Sequence, residues 1–525
     1  MSSPSAPQLP PWWPKAAAVA GGAAATLITL RLLSKGATSD SKPATSSAKA
    51  TSTRAAPAAA APAGKGTADA ADSAKALLEA KAAAVQKYVV EVGDKIGEPV
   101  AAKPLDAAAD LGKYLAFKDE YRTRFMARPD VGEGQLLKVT DWRRLTPETY
   151  DRTTFHVEVD VSGTSVEKLV NGAHGKALSV YATNDADAVK RFLDAMGLDP
   201  FEVVSAEEIA PQDEEGVVVL TTVAKLFTQY LDLFGKPTRE FLKKLAPYAQ
   251  DILEKVKIAE LTLERKTEEF QDRQARAQTY AEYLTEFKSL RIPVDKYAEL
   301  IPTIKQRVYS ICSSSDYRPG KCQLLVVRED WEAKGGETKY GLCSSFLTFV
   351  RPGQFLVGHS THSVMQIPED TTAHIFMAGL GTGLAPFRAY VEQRKYQKDR
   401  GATVGNMTLF FGGRYSKTEY YYRDEFEAFE KEGIVKCCNA WSRDTPGQKV
   451  YVQHKIQEEQ DDIWEHLGKP GSTGYFFLCG SKQPEKDVYK MLLSIMQNKG
   501  KMSAEQAQAK LEELQATGRY VTEVY

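Results

Sequence analysis

No pair among the six cysteines of this 525-residue chain has C-x-x-C spacing, and none has the spacing of a zinc site. Cys312, Cys322, Cys343, Cys437, Cys438 and Cys479 therefore read as reduced thiols in a cytosol-like compartment, packed as small hydrophobes. Histidine is scarce as well. His359 and His362 form an H-x-x-H with no third or fourth ligand near them in sequence, so no metal is expected there. An excess of either charge is missing: 68 basic residues meet 69 acidic ones for a formal net charge of −1, and nothing implies a nucleic-acid or polyanion partner. Residues 1–120 lack alternating strands and any phosphate-binding loop. What remains is ordinary globular composition in a chain too long for a single core, about two to four domains by length.

The amino-terminal stretch differs from everything after it. "PPWWPKAAAVAGGAAATLITLRLL" carries an apolar run from about Ala16 to Leu30, with Trp12 and Trp13 before it and Arg31 and Lys35 after it. Tryptophan at one edge and basic residues at the other are what a membrane interface selects, and the run is near the lower length limit for spanning. A cleaved signal peptide would carry a basic leader, and here Lys15 is the only leading charge. Residues 1–36 are thus expected to be a single-pass membrane anchor. The basic residues after it place the rest on the cytosolic side of an endoplasmic-reticulum or mitochondrial membrane. Residues 37–75 form a linker of Ala, Ser, Thr and Pro with too few apolar side chains to order, and 76–134 read as a helical lead-in.

From residue 135 the pattern shortens. "FHVEVDV" alternates as a strand, "GKALSVYATND" is another, and "ADAVKRFLDAMGLDP" is a helix with Gly197 near its C-cap. Residues 217–290 are almost entirely helical in spacing, including the heavily charged "LERKTEEFQDRQARAQTYAEYLTEF". Strands return with "KQRVYSICSS", "KCQLLVVRED" and "YGLCSSFLTFV". This assigns a β domain to 135–216 and 291–370 with a helical insert between. Across 371–525 apolar strands such as "HIFMAG", "NMTLFFGG" and "GYFFLCG" alternate with helices, which argues for a doubly wound parallel sheet that binds ligands at its strand ends.

Three stretches carry chemistry. In "MAGLGTGLAPFRAY" the glycines Gly379, Gly381 and Gly383 sit between a strand and a helix, where backbone N–H groups can meet a pyrophosphate. No GK[ST] follows, so this is not a Walker loop. "AWSRDTPGQKVYVQ" offers Ser442, Arg443, Lys449 and Tyr451, a hydroxyl, two cations and a ring suited to a phosphate monoester beside an adenine. "RVYSICSSS" places Arg307 and Tyr309 on one strand face, next to Ser310.

In order and spacing, "RVYSICSS", "YGLCSS", "GLGTGLAPFRAYVEQR", "LFFGGR", "WSRD…KVYVQHKI", "FLCGSK" and the aromatic tail resemble the ferredoxin–NADP reductase superfamily. More closely they resemble the FAD/NADPH half of diflavin reductases such as NADPH–haemoprotein reductase and sulfite reductase flavoprotein. The resemblance covers about Gln135 to Tyr525, with 217–290 matching the connecting domain of those enzymes. It implies an antiparallel β-barrel FAD domain with an inserted α-helical connecting domain, followed by an α/β NADPH-binding domain.

It also implies site roles. Arg307 would hold the FAD pyrophosphate, Tyr309 would stack on the isoalloxazine, and Ser310 would bond near flavin N5. Gly341, Leu342, Cys343 and Ser344 would close over the FAD phosphates as a loop. Gly381, Thr382 and Gly383 would face the NADPH pyrophosphate with Arg414 nearby. Ser442, Arg443, Lys449, Tyr451 and Gln453 would read the 2′-phosphate and adenine, favouring NADPH over NADH. Arg143 in "DWRRLT" stands where the FAD domain has a cofactor-contacting arginine and is grouped with the NADPH contacts. Cys479 and Glu523 would flank the nicotinamide and complete a catalytic set with Ser310, and Tyr525 would cover the flavin ring until nicotinamide displaces it.

The sequence departs from the family at "GKA" (Gly175–Ala177) in place of GDH, at Ala182 in place of a proline, and at Ser481 in place of an acidic residue. No flavodoxin-like FMN domain is encoded in 1–120. The expectation is a single-flavin NADPH oxidoreductase that passes electrons to a separate flavodoxin-like, cytochrome or iron–sulfur protein at a membrane. The alternatives are a structural or assembly subunit that retains the fold, and a ferredoxin–NADP reductase-like enzyme.

Overall fold

The computed structural model describes residues 134–170, 176–205, 220–264 and 267–525. The expected anchor, linker and helical lead-in, up to residue 133, lie outside the described residues. Among the described residues no helix is long and apolar enough to cross a membrane.

The first unit is a β-barrel. Its early strands are β1 (Gln135–Arg144), β2 (Thr154–Asp160) and β3 (Ala177–Tyr181). An antiparallel strand pair, β4 (Val203–Ser205) and β5 (Leu220–Thr222), adjoins the helical insert. After the insert come β6 (Arg307–Ser310), β7 (Lys321–Val327), a surface hairpin of β8 (Asp330–Glu332) and β9 (Thr338–Tyr340), and β10 (Phe355–Thr361). The barrel order is β6-β3-β10-β1-β2-β7, antiparallel throughout. Just past β6, Ile311 bridges to Leu324 of β7, which joins the two outer strands and closes the barrel. Leu137, Val139, Phe155, Val157, Val159, Leu178, Val180 and Leu324 fill the interior.

The alternation in β2 has a second consequence. Phe155, Val157 and Val159 point into the barrel, and the opposite face, with Thr154 and His156, is buried as well. The nucleotide domain covers that face: Thr154 Oγ1 lies 3.1 Å from Tyr421 Oη, and His156 Nδ1 lies 2.9 Å from Tyr422 Oη.

One expected strand is a helix. Leu342–Phe349 is helical because Cys343, Leu347 and the partly buried Phe346 recur at helical spacing and press onto the barrel core. Aromatic and β-branched content favours a strand there, and tertiary packing overrides it.

The insert packs about its own core, which runs from Val189 to Ile301. The helix Ala186–Met196, outside the 217–290 block of the sequence reading, belongs to this core through Val189, Phe192 and Leu193, with the Phe192 and Phe227 rings 5.2 Å apart. The stretch of helical spacing over 263–287 does not form one continuous helix. Thr267–Ala275 ends before Ala277, whose φ of 53° is left-handed, and Tyr280–Glu286 restarts behind a capping box of Thr279 and Glu282.

The second unit holds β11 (Ile375–Leu380), β12 (Met407–Gly413), β13 (Lys436–Cys437), β14 (Ala440–Trp441), β15 (Tyr475–Gly480) and β16 (Tyr520–Val524). The sheet order is β13-β12-β11-β15-β16, all parallel, with β14 also on β12. One face packs against the helices Ala385–Asp399 and Arg423–Lys431, the other against Val452–Glu458, Glu485–Gly500 and Ala504–Ala516. Both faces are covered, as an all-parallel sheet requires.

Arg388 rivets the two units. It is 1% exposed, donates to Cys312 O (2.6 Å) and Gln323 Oε1 (2.8 Å) of the barrel, and pairs with Glu425 (2.6 Å) and Glu392 (3.0 Å) of its own domain. Glu392 also accepts from Arg318 and from the Ser314 N–H of the barrel side.

Candidate active site

In an open parallel sheet the crevice forms where successive connections leave in opposite directions. Here that point lies at the carboxyl ends of β11 and β15, with β12 on one side and β16 on the other. The parallel register of β15 and β16 sets Cys479 beside Glu523. The barrel supplies the rest. Ser310, at the end of β6, donates to Glu523 Oε2 at 3.4 Å, and Ser363, just beyond β10, donates to Glu523 Oε1 at 3.1 Å. One carboxylate thus joins both units at the strand ends. Burial and the nearby Glu523 charge push the Cys479 thiol up, so it is neutral at physiological pH. The three side chains named from sequence as a catalytic set do meet. Ser363 was not anticipated, because a serine in "HSTHS" carries no pattern of its own.

The glycine turn is built for close approach. Gly381 has φ +58°, and a Cβ on Gly383 would lie 2.1 Å from the carbonyl oxygen of Cys479. Gly383 therefore serves packing of the turn against β15. Residues 381–384 form a 3-10 turn that opens the helix Ala385–Asp399, and no side chain caps its start. Thr382, expected at the pyrophosphate, has its hydroxyl 2.8 Å from the Tyr525 hydroxyl. The Tyr525 N–H donates to Gly480 O at 3.0 Å and continues the β15–β16 ladder, while the side chain remains 68% exposed.

On the barrel side, Arg307 and Tyr309 pair with Val180 and Leu178 of β3. Arg307 is exposed, and Tyr309 is half-buried against the barrel core, where burial and the neighbouring Cys343 thiol hold its phenol protonated. Cys343 Sγ points inward to Val180 O, so its side chain is not offered to a ligand. The stretch 341–344, expected as a loop, is the N-terminus of the helix Leu342–Phe349, with Gly341 as N-cap and no side chain capping the first turn. Ser344 Oγ is already committed, accepting from Glu329 N at 3.1 Å and donating to Gly341 O at 3.2 Å. A free helix N-terminus, an exposed guanidinium and a ring on one wall suit a dinucleotide whose pyrophosphate meets backbone N–H groups.

On the far side of the sheet, Ser442 N and Oγ both donate to Gly413 O, at 3.0 and 3.2 Å, and Arg443 N donates to Arg414 O at 2.8 Å. Ser442, Arg443 and Arg414 therefore stand together at the ends of β12 and β14. Arg443 and Lys449 are exposed, as is Tyr451 at the start of the helix Val452–Glu458. The side-chain oxygen of Gln453 is buried without a hydrogen-bond partner. Two exposed cations, a hydroxyl, an exposed ring and an orphaned amide oxygen fit an adenosine phosphate. Arg414 is tied to Asp151 at 3.7 Å.

Arg143 does not join this group. It pairs with Asp141 at 3.2 Å and Glu425 at 3.9 Å, beside the junction between the two units and apart from the other residues grouped with NADPH.

Comparison with known proteins agrees with this geometry. Residues 133–346 match the FAD binding domain family and 376–490 the oxidoreductase NAD-binding domain family. The chain is 35% identical over 424 residues to the sulfite reductase [NADPH] flavoprotein component of Saccharomyces cerevisiae, covering 79% of this chain and 40% of that protein. It is 33% identical over 400 residues to NADPH-dependent diflavin oxidoreductase 1 of Mus musculus, covering 74% of this chain and 65% of that one. With NADPH–cytochrome P450 reductase of Bos taurus it shares 30% over 407 residues, 74% of this chain and 58% of the relative. The chain thus spans between two-fifths and two-thirds of the length of these relatives. Carrying the FAD- and NADP-binding domains of NADPH-dependent flavoprotein reductases, the chain belongs to the ferredoxin–NADP reductase superfamily, in its diflavin-reductase branch.

Proposed function

We propose that this chain takes hydride from NADPH onto FAD and passes the electrons to a separate redox protein. The observation that carries the reading is the carboxylate of Glu523, held by Ser310 from the barrel and Ser363 beyond β10, with the neutral Cys479 thiol beside it. FAD, when bound, supplies hydride acceptance from nicotinamide and onward release of electrons one at a time. The protein supplies position and electrostatics.

Arg307 and the helix start at 341–344 hold the flavin dinucleotide's pyrophosphate, and Tyr309 offers the ring face. Ser442, Arg443, Lys449, Tyr451 and Gln453 hold the 2′-phosphate and adenine of NADPH, and the turn at 381–383 receives its pyrophosphate. Ser310 Oγ keeps a proton directed at Glu523, and that negative charge favours the positive nicotinamide product. The Tyr525 ring, held by Thr382, shields the site from water until nicotinamide displaces it.

The relatives are named for sulfite reductase, cytochrome P450 and diflavin systems. An acceptor of flavodoxin-like, cytochrome or iron–sulfur type fits this chain. The amino-terminal apolar run anchors it to a membrane with the catalytic part in the cytosol, and the linker raises the effective concentration of a membrane-bound acceptor. The test is NADPH-driven reduction of a flavodoxin, a cytochrome and a ferredoxin by the FAD-loaded full chain. Turnover with any of them supports the reading, and the ranking separates a diflavin-like enzyme from a ferredoxin reductase. Failure with all of them, despite bound FAD, would overturn the electron-transfer role.

A further inference from the structure

The sheet that carries the nicotinamide crevice at one end carries a different cluster at the other. His374 precedes β11, and Asp462 and His466 lie on the helical segment Gln460–Gly468, so all three flank the amino ends of β11 and β15. One ligand-type atom from each lies within 4.8 Å of the others. His374 Nε2 is 3.4 Å from Asp462 Oδ2, and His466 Nδ1 is 2.9 Å from Asp462 Oδ1. Donor atoms around a tetrahedral ion stand about 3.3 Å apart when the bonds are about 2.0–2.1 Å.

A plain hydrogen-bonded His–Asp pair accounts for His466 and Asp462, but not for His374. His374 is 6% exposed and its Nε2 is buried without a hydrogen-bond partner while facing the carboxylate. The two imidazole rings approach to 4.2 Å between centroids.

The backbone is built to bring the rings together. Gly474 donates to His466 O at 2.8 Å and Tyr475 donates to His374 O at 2.9 Å. A Cβ on Gly474 would fall 2.5 Å from His466 O and 3.2 Å from His374 O, so only glycine allows this approach. Residues 464–468 form a π-helical turn, a local distortion often found at functional sites.

We propose that His374, Asp462 and His466 bind a first-row divalent transition-metal ion, best matched by Zn²⁺, with water in the open position. Two imidazoles and one carboxylate suit zinc and its neighbours, and Mg²⁺ and Ca²⁺ prefer all-oxygen sites. The ion clips the start of the central strand to the segment before β15, remote from the nicotinamide end. It is independent of the electron-transfer reading.

The test is zinc binding by the FAD-loaded full chain, measured by chelator competition and calorimetry, with thermal unfolding alongside. The expected result is one equivalent of Zn²⁺ and a Tm raised by roughly 3 °C at about a hundredfold excess over Kd. His466→Asn and Asp462→Asn, at partly exposed positions, are each expected to weaken binding at least tenfold without changing the flavin content. Co²⁺ in place of zinc is expected to give the visible bands of a four-coordinate site in the wild type and not in the variants. No zinc uptake by the wild type would overturn the proposal. So would uptake unchanged in both variants, which would be adventitious binding elsewhere.

Discussion

Glu523 accepts hydrogen bonds from two serines on two barrel segments and stands next to a buried thiol, so one side chain reports on the whole junction. Glu523→Gln keeps the shape and removes the charge. It is expected to slow flavin reduction by NADPH about tenfold or more, in the range of a single electrostatic contact, with FAD content unchanged. Stopped-flow absorbance checks this, and an unchanged rate would remove Glu523 from the hydride-transfer site. Gly383→Ala is a structural counterpart. The new methyl would meet the Cys479 carbonyl at 2.1 Å, so a loss of about 1–3 kcal/mol is expected from overpacking, read as a lower Tm of the nucleotide domain. Tyr525→Ala, which removes the ring bonded to Thr382, is expected to narrow the preference for NADPH over NADH, measured as the ratio of kcat/KM values.

At this scale much was legible. Ser310, Cys479, Glu523 and Tyr525 were singled out by their resemblance to family motifs, and they stand near one another because the parallel β15–β16 register sets Cys479 beside Glu523 while Ser310 ends the antiparallel strand β6. Ser363, Thr382 as a partner of Tyr525, and the inward turn of Cys343 were not legible, because each depends on contacts across chain segments that no local pattern records.

Among the elements, β2 and the helix Ala385–Asp399 couple the two units. Arg388→Met would remove the buried cation between Glu392, which is fully buried, and Glu425, leaving only the partly exposed Arg318 to pair with both. A cost of about 3–5 kcal/mol is expected, with the two domains no longer unfolding together in calorimetry. His156 adds a pH dependence. Burial, with Arg143, Arg388 and Arg318 around it, lowers its pKa from 6.5 to about 3. Between those values the unfolded chain binds a proton there that the folded chain does not, so stability rises with pH across that window and is lost as the pH falls through it. His156→Gln, which cannot titrate, is expected to flatten the slope by one proton's worth in denaturant titrations at successive pH values.

Periodicity located most elements. It mistook Leu342–Phe349 for a strand, because Phe, Thr and Val are common in strands while the deciding fact is the fit of Cys343 and Leu347 to the barrel. It also missed the break at Ala277, where a left-handed residue and a fresh capping box end one helix and start another inside a continuous apolar pattern.

For the whole molecule, the order barrel, helical insert, barrel, nucleotide sheet was readable, since the period changes from two to helical and back at each junction. The cluster of His374, Asp462 and His466 was not, since its members come from separate elements and only the fold assembles them. Cofactor choice belongs to this scale because it needs both units at once. Arg443→Ala is expected to raise the KM for NADPH about tenfold or more while leaving that for NADH nearly unchanged, since in the proposed binding mode it removes an exposed cation that would meet only the 2′-phosphate.

The central claim is that the two units together make a hydride-transfer site specific for NADPH. The most direct measurement is the visible spectrum of the FAD-loaded full chain, titrated without oxygen first with NADH and then with NADPH. Bleaching of the flavin band by stoichiometric NADPH, with far slower bleaching by NADH, is the predicted result. A chain that takes up no FAD, or holds FAD that NADPH leaves oxidised, would contradict the account and leave a reductase fold without its chemistry.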